Sequence, residues 1–199
     1  MYMKKLWYLV LFLFIGCTTN IDVHQYHLNR VNEFSMDNNK YDIVFMGDSI
    51  TEGGRFESVI AGSKNVGIGG DRIYDTEDLI PCVVNYEPTK IYLLIGINSL
   101  YYYSVEECKT QYEHLLSLMV AAFPNTQIIL ETVLPTLVFN PKISEFNVFV
   151  WEMADRYNLS VLDLYSMYEV NDRLPEDITF DGLHLTAEGY NTWYEALRR

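Results

Sequence analysis

Tyr41-Asp42-Ile43-Val44-Phe45-Met46-Gly47-Asp48-Ser49-Ile50-Thr51-Glu52 is the stretch from which the fold can be read. From Tyr41 to Met46 it is apolar except for Asp42. It lacks the alternation of a strand with one wet face, so it reads as a strand buried on both faces. Gly47 stops it, and Asp48-Ser49 supplies the capping chemistry that opens a helix. A buried strand, a tight polar turn and a helix start form one unit of a parallel α/β protein.

Working outward, the unit repeats. A short strand around Asn65–Val66 leads into Gly67-Ile68-Gly69-Gly70, and a helix is expected over Ile73 to Asn85, bent or ended near Pro81. Lys90 to Ile95 reads as a third strand. Ser104-Val105-Glu106-Glu107 fits a capping box that opens a helix running to about Phe123. Thr126 to Thr132 is a fourth strand, Lys142 to Tyr157 a helix and Ser160 to Leu164 a fifth strand. Thr186 then caps a last helix. Upstream, Val23, Tyr26, Val31 and Phe34 fall near helical spacing, as in a short N-terminal helix packed on the domain. Strands alternating with helices predict a parallel sheet covered on both faces, and right-handed crossovers favour a flavodoxin-like strand order. The 199 residues suffice for one domain with a substantial core. The organisation expected is a signal segment over 1–17, a tether and helix over 18–40, and the main domain over 41–199.

In an open parallel sheet, ligands gather outside the carboxyl ends of the strands. There the sequence places Gly47-Asp48-Ser49, then Gly67 to Gly70, then Gly96-Ile97-Asn98-Ser99, and near the C-terminus Asp181-Gly182-Leu183-His184. A serine hydroxyl becomes a competent nucleophile when a base removes its proton, and histidine suits that task near neutral pH. Asp181 stands three residues before His184, close enough in one turn to orient the imidazole and stabilise its protonated form. A developing oxyanion needs donors, and the candidates are the backbone N–H groups of Ser49 and Gly70 and the side-chain amide of Asn98. Taken singly, Ser49 is an ordinary helix cap and His184 an ordinary surface histidine. Jointly, the bland readings must also explain Gly70, Asn98 and Asp181, and the hydrolytic reading is favoured over them.

These blocks resemble the SGNH (GDSL) hydrolase family. Gly47-Asp48-Ser49 with Ile50-Thr51 is similar to its first block and Asn65 to Asp71 to its second, with Gly70 at the oxyanion glycine. Gly96-Ile97-Asn98 resembles the third block and Asp181 to His184 the fifth. The resemblance runs from about Tyr41 to the C-terminal end. It implies a flavodoxin-like three-layer α/β/α sandwich with a five-stranded parallel sheet, ester hydrolysis and no cofactor. In two places the chain departs from the pattern. Ser99 follows Asn98 where the family usually has Asp, so either Ser99 braces Asn98 with a weaker, uncharged hydrogen bond or another group substitutes, and Gly69 stands where Ser is common.

The net charge of −13 disfavours partners with phosphate backbones or anionic headgroups, so no nucleic acid is expected. The absence of Cys-x-x-Cys and of His/Cys clusters at zinc spacing leaves no metal site to expect. Gly67 to Gly70 lacks both the G-x-G-x-x-G spacing and a P-loop lysine. His24, His27 and His114 stand on predicted helices without evident partners and are expected to be solvated. Lys4-Lys5 precede an apolar run from Leu6 to Ile15, and Phe14-Ile15-Gly16-Cys17 resembles a bacterial lipobox, with Cys17 as the lipidation site. An exported cell-envelope lipoprotein, membrane-bound only through a lipid anchor, is therefore expected. Cys82 and Cys108 read as buried free thiols.

Tyrosine is abundant, at 16 residues. It serves equally as a half-buried core residue or as a surface for flat, partly polar ligands. Tyr101 and Tyr102 directly follow the Asn98 block and are candidate substrate contacts. Leu134 and Phe139 stand at either end of an apolar loop that reads as a pocket wall or as a packed structural loop. The substrate class expected is a small-molecule or glycan ester, leaning to O-acetyl groups on carbohydrates. A lysophospholipase or thioesterase, or a silent ligand-binding lipoprotein, would use the same fold.

Overall fold

The structure, a computed structural model, describes residues 22–138 and 140–198. The expectations placed on Lys4, Lys5, Cys17 and Phe139 lie outside those residues. The opening stretch forms strand β1 (Ile43–Gly47), followed along the chain by β2 (Ser63–Asn65), β3 (Lys90–Leu94), β4 (Gln127–Glu131) and β5 (Ser160–Leu162). Every pairing is parallel, in the order β2-β1-β3-β4-β5. Between and around them run α1 (Val23–Ser35), α2 (Ser49–Glu52), α3 (Phe56–Val59), α4 (Ile80–Tyr86), α5 (Ile97–Tyr102), α6 (Val105–Ala122), α7 (Pro141–Tyr157), α8 (Leu164–Tyr168) and α9 (Ala187–Leu197). The expected α/β sandwich with a five-stranded parallel sheet is the one observed.

The sheet is buried from both sides. Phe45 of β1 stacks on Phe56 of α3 at 4.0 Å between centroids, and Trp193 of α9 meets Phe56 edge-on at 5.0 Å. On the other face α4, α6 and α7 lie side by side, with Tyr112 of α6 edge-on to Phe146 of α7, and α1 packs on α4. Many tyrosines belong to this framework: Tyr86, Tyr92, Tyr112, Tyr168, Tyr190 and Tyr194 are all buried. Several of their hydroxyls tie elements together, as where Tyr86 donates to Phe34 O and Tyr168 to Gly189 O, each at 2.8 Å. Tyr101 and Tyr102, both about two-thirds exposed, are the most exposed tyrosines among the described residues.

Local chemistry explains the element ends. Asp48 caps α2 through Ile50 N, Thr186 caps α9 through Gly189 N, and the capping box of Ser104 and Glu107 opens α6. Pro81 behaves differently from the expectation. A 3-10 turn occupies Asp75–Leu79, and Pro81 sits in the first turn of α4. Proline opens this helix because the first turn needs no N–H from it. Cys82 and Cys108 are buried and unpaired.

From β1 the chain crosses to β2 at one edge, whereas later crossovers run through β3 towards β5. The crevice where these directions diverge lies at the carboxyl ends of β1 and β3, where such sheets bind ligands. Ser49 lies just beyond β1 and Asn98 just beyond β3.

Candidate active site

Ser49 opens α2 immediately after the capping Asp48. The turn is tight: a Cβ on Gly47 would come within 2.2 Å of both Leu94 O and Thr51 Oγ1, so only glycine lets the strand turn here. Burial pushes the Asp48 carboxyl up to about 7 against the opposing hydrogen bond from Ile50 N–H. Asp48 shapes the turn and is too enclosed to reach a substrate.

The serine hydroxyl is 2.8 Å from His184 Nε2, and His184 Nδ1 is 2.6 Å from Asp181 Oδ2. The other carboxylate oxygen of Asp181 accepts the backbone N–H groups of Leu183 and His184 at 2.9 and 2.7 Å. Burial opposes ionisation of Asp181, but the His184 ring and these backbone donors together hold its carboxyl below the ordinary value. An ionised Asp181 keeps the proton on Nδ1, which leaves Nε2 as an acceptor for the Ser49 hydroxyl. Thr179 completes the loop: its hydroxyl donates to His184 O at 2.7 Å and accepts from Gly182 N at 2.9 Å. The exposed ring of Phe180 lies against the His184 imidazole at 5.8 Å, nearly parallel.

The second loop lies beside the serine. A Cβ built on Gly69 would stand 3.8 Å from Ser49 Cβ. Gly70 has φ +88°, a conformation that a side chain would strain. Among the described residues its N–H has no acceptor, and neither has that of Ser49. Asn98 Nδ2 donates to Asp71 O at 2.9 Å, which commits one amide hydrogen and leaves the other available. Gly70 thus follows the glycine that stands beside Ser49, and Asn98 is tied to the same loop through Asp71 O.

Several expectations are corrected here. Ser99 does not brace Asn98: fully buried, its Oγ accepts Ile73 N–H at 2.9 Å and so pins the far end of the glycine loop. His27 is not solvated. It is buried at 4% exposure, with Nδ1 2.9 Å from Asp71 Oδ1 and Nε2 3.2 Å from Asp78 Oδ2. Leu134 is packed into the core, so the loop after β4 is a structural one at that residue. Its later part still borders the site, because Leu137 N–H donates to Gly182 O at 2.8 Å. His27, Glu52 and Phe180 went unassigned in the sequence. A lone histidine on a polar helix carries no signal of its own, and the only hint was Asp71 closing the glycine block.

The model of the GDSL-like Lipase/Acylhydrolase family matches residues 45–192. Among solved structures the chain is similar to a GDSL-like lipase from Bacteroides thetaiotaomicron, with 22% identity, a TM-score of 0.71, and coverage of 89% of this chain and 95% of that one. It is also similar to an acetylxylan esterase from Geobacillus stearothermophilus, solved as a catalytic mutant, with 20% identity, a TM-score of 0.65, and coverage of 81% and 94%. It is 29% identical over 150 residues to the N-acylneuraminate cytidylyltransferase of Streptococcus agalactiae, which covers 73% of this chain. The chain spans about a third of the length of that relative, 35%. By the family match, which takes in every residue of the hydrogen-bonded chain from Ser49 to Asp181, this protein belongs to the GDSL-like lipase/acylhydrolases.

Proposed function

We propose that the protein is a serine esterase that removes short acyl groups, acetyl foremost, from carbohydrates. The observation that carries the mechanism is the relay Ser49–His184–Asp181, closed at 2.8 and 2.6 Å. Ser49 Oγ attacks the ester carbonyl as His184 Nε2 takes its proton. The negative charge that develops on the carbonyl oxygen is held by Ser49 N–H, Gly70 N–H and the Asn98 amide. As the tetrahedral intermediate collapses, His184 returns the proton to the leaving alcohol. Water, activated by the same imidazole, then cleaves the acyl-enzyme, and Ser49 is regenerated. Asp181 stays ionised throughout and keeps the imidazole oriented.

Support for a sugar as the alcohol comes from the rim. Tyr101 and Tyr102 stand one turn beyond Asn98 on α5, 67% and 68% exposed, and Phe180 is exposed beside His184. Flat aromatic faces suit the apolar faces of sugar rings. Two of the similar proteins act on related chemistry by their names, one on acetylxylan and one on an N-acylated sugar. The basic n-region and Cys17 support an exported lipoprotein that would meet such glycans outside the cytoplasm. The test is a panel of acetylated xylan and acetylated sugars, p-nitrophenyl esters of increasing acyl length, and a lysophospholipid. Highest kcat/KM on acetylated glycans is expected. Preference for long acyl chains or the lysophospholipid would overturn the substrate assignment.

A further inference from the structure

We propose that the N-terminal helix α1 is a positioning element of the oxyanion hole, acting through His27 on Asp71 and through Tyr26 on Glu52. The inference rests on the esterase reading for its kinetic consequence, but the contacts stand independently of it.

The glycine loop carries the donor Gly70, yet glycine-rich backbone does not hold its own shape, because glycine has the most conformational freedom to lose. Something must hold it, and three successive residues of this loop meet α1. Gly69 N–H donates to Glu52 Oε2 at 2.9 Å, and the other oxygen of that carboxylate accepts the Tyr26 hydroxyl. Over Gly70, Val23 closes in: a Cβ there would stand 2.8 Å from Val23 Cγ1. Asp71, 1% exposed, is bonded through both carboxylate oxygens to His27 Nδ1, at 2.9 and 3.1 Å. Asp71 O in turn holds the Asn98 amide. Two of the three oxyanion donors thus depend on a residue that α1 grips.

The charge of His27 has a second effect. A buried carboxylate one residue from Gly70 would oppose the negative charge that forms on the substrate oxygen. Glu52 on α2 and Asp75 and Asp78 on the 3-10 turn are also acidic, and two arginines lie near them: Arg30 of α1, its Nε 3.7 Å from Glu52 Oε1, and Arg72, its Nε 3.0 Å from Asp75 Oδ2. His27 is the cation placed directly on Asp71. It offsets that carboxylate where the substrate's charge appears, and it supplies no atom to the reaction. His27 is accordingly a positioning residue and not a catalytic one.

The geometry offers a discriminating pair of variants. Asn at position 27 places an N–H donor where Nδ1 stands, towards Asp71, whereas Gln places one where Nε2 stands, towards Asp78. In the full-length protein, His27→Ala and His27→Gln are expected to lower kcat on p-nitrophenyl acetate about 10- to 100-fold with KM nearly unchanged, as misplacement of oxyanion donors does. His27→Asn should recover most of that loss, and Tyr26→Phe should show a smaller fall in kcat. In parallel, hydrogen exchange at the Gly69, Asp71 and Ile73 amides reads the grip on the loop without requiring turnover. Exchange should be faster in His27→Ala than in wild type, and His27→Asn should slow it again. If wild type hydrolyses no ester above a Ser49→Ala blank, the esterase reading fails while the exchange result still decides the strap. Unchanged loop exchange in His27→Ala, or His27→Gln rescuing as well as His27→Asn, would overturn the proposal.

Discussion

Asn98 and Ser99 are neighbours in sequence with different tasks. Asn98 spends one amide hydrogen on Asp71 O, and in the proposed mechanism the other meets charge that develops only in the transition state. Asn98→Ala is therefore expected to lower kcat by about 10²–10³ with KM little changed, the usual consequence of losing one oxyanion donor. Loss of affinity at unchanged kcat would make Asn98 a substrate-binding residue instead. Ser99 is expected to affect stability first. Its Oγ is the acceptor for the buried Ile73 N–H. Ser99→Ala leaves that donor without a partner and should cost about 1–3 kcal/mol in denaturant unfolding. An unaltered midpoint would mean that another acceptor replaces Ser99.

Elements divide into those legible from sequence and those that tertiary contacts create. Tyr41 to Met46, the capping box at Ser104 and Glu107, and the cap at Thr186 announce their structures through local chemistry, and β1, α6 and α9 lie where they predict. The hydrogen-bonded set of Ser49, His184 and Asp181 was foreseeable in the same way, because these residue types suit one another chemically. Pro81 was ambiguous, since proline near a helical pattern can end one helix or open the next. The role of α1 was hidden because His27 and Asp71 are 44 residues apart and no local pattern joins them. The same holds for α9 and α2, linked by Tyr190, whose hydroxyl donates to Ile50 O at 2.6 Å next to the serine turn. Tyr190→Phe keeps the stacked ring and removes only that bond. It should cost about 1 kcal/mol, or roughly 2–4 °C in Tm for a chain of this size. A loss no larger than experimental scatter would show that this bond does not hold α9 to α2.

At the scale of the whole molecule, several buried groups titrate in one direction. Burial pushes the Glu131 carboxyl up to about 8 against its hydrogen bond from Trp193 Nε1–H, and pushes Asp48 up to about 7. The Asp71 hydrogen bond raises His27 to about 9. In each case the folded state holds its proton more tightly than the unfolded chain, so stability is lost as pH rises through these values. Asp181, held low, loses its contribution only on strong acidification. Thermal stability is therefore expected to peak at about pH 5 and to fall steadily towards pH 9. Glu131→Gln should flatten that decline between pH 5 and 8. A Tm that rises over that interval would contradict the assignment of these groups.

The central claim is that Ser49 is the nucleophile of an ester hydrolase, and comparison of wild type with Ser49→Ala on a short acyl ester tests it most directly. Removing a triad serine leaves only the oxyanion hole and binding to accelerate the reaction, so kcat should fall by about 10⁶. Far-UV spectra and Tm should remain those of wild type, because a half-buried hydroxyl contributes little packing. Wild-type-like turnover in a folded Ser49→Ala protein would contradict the account.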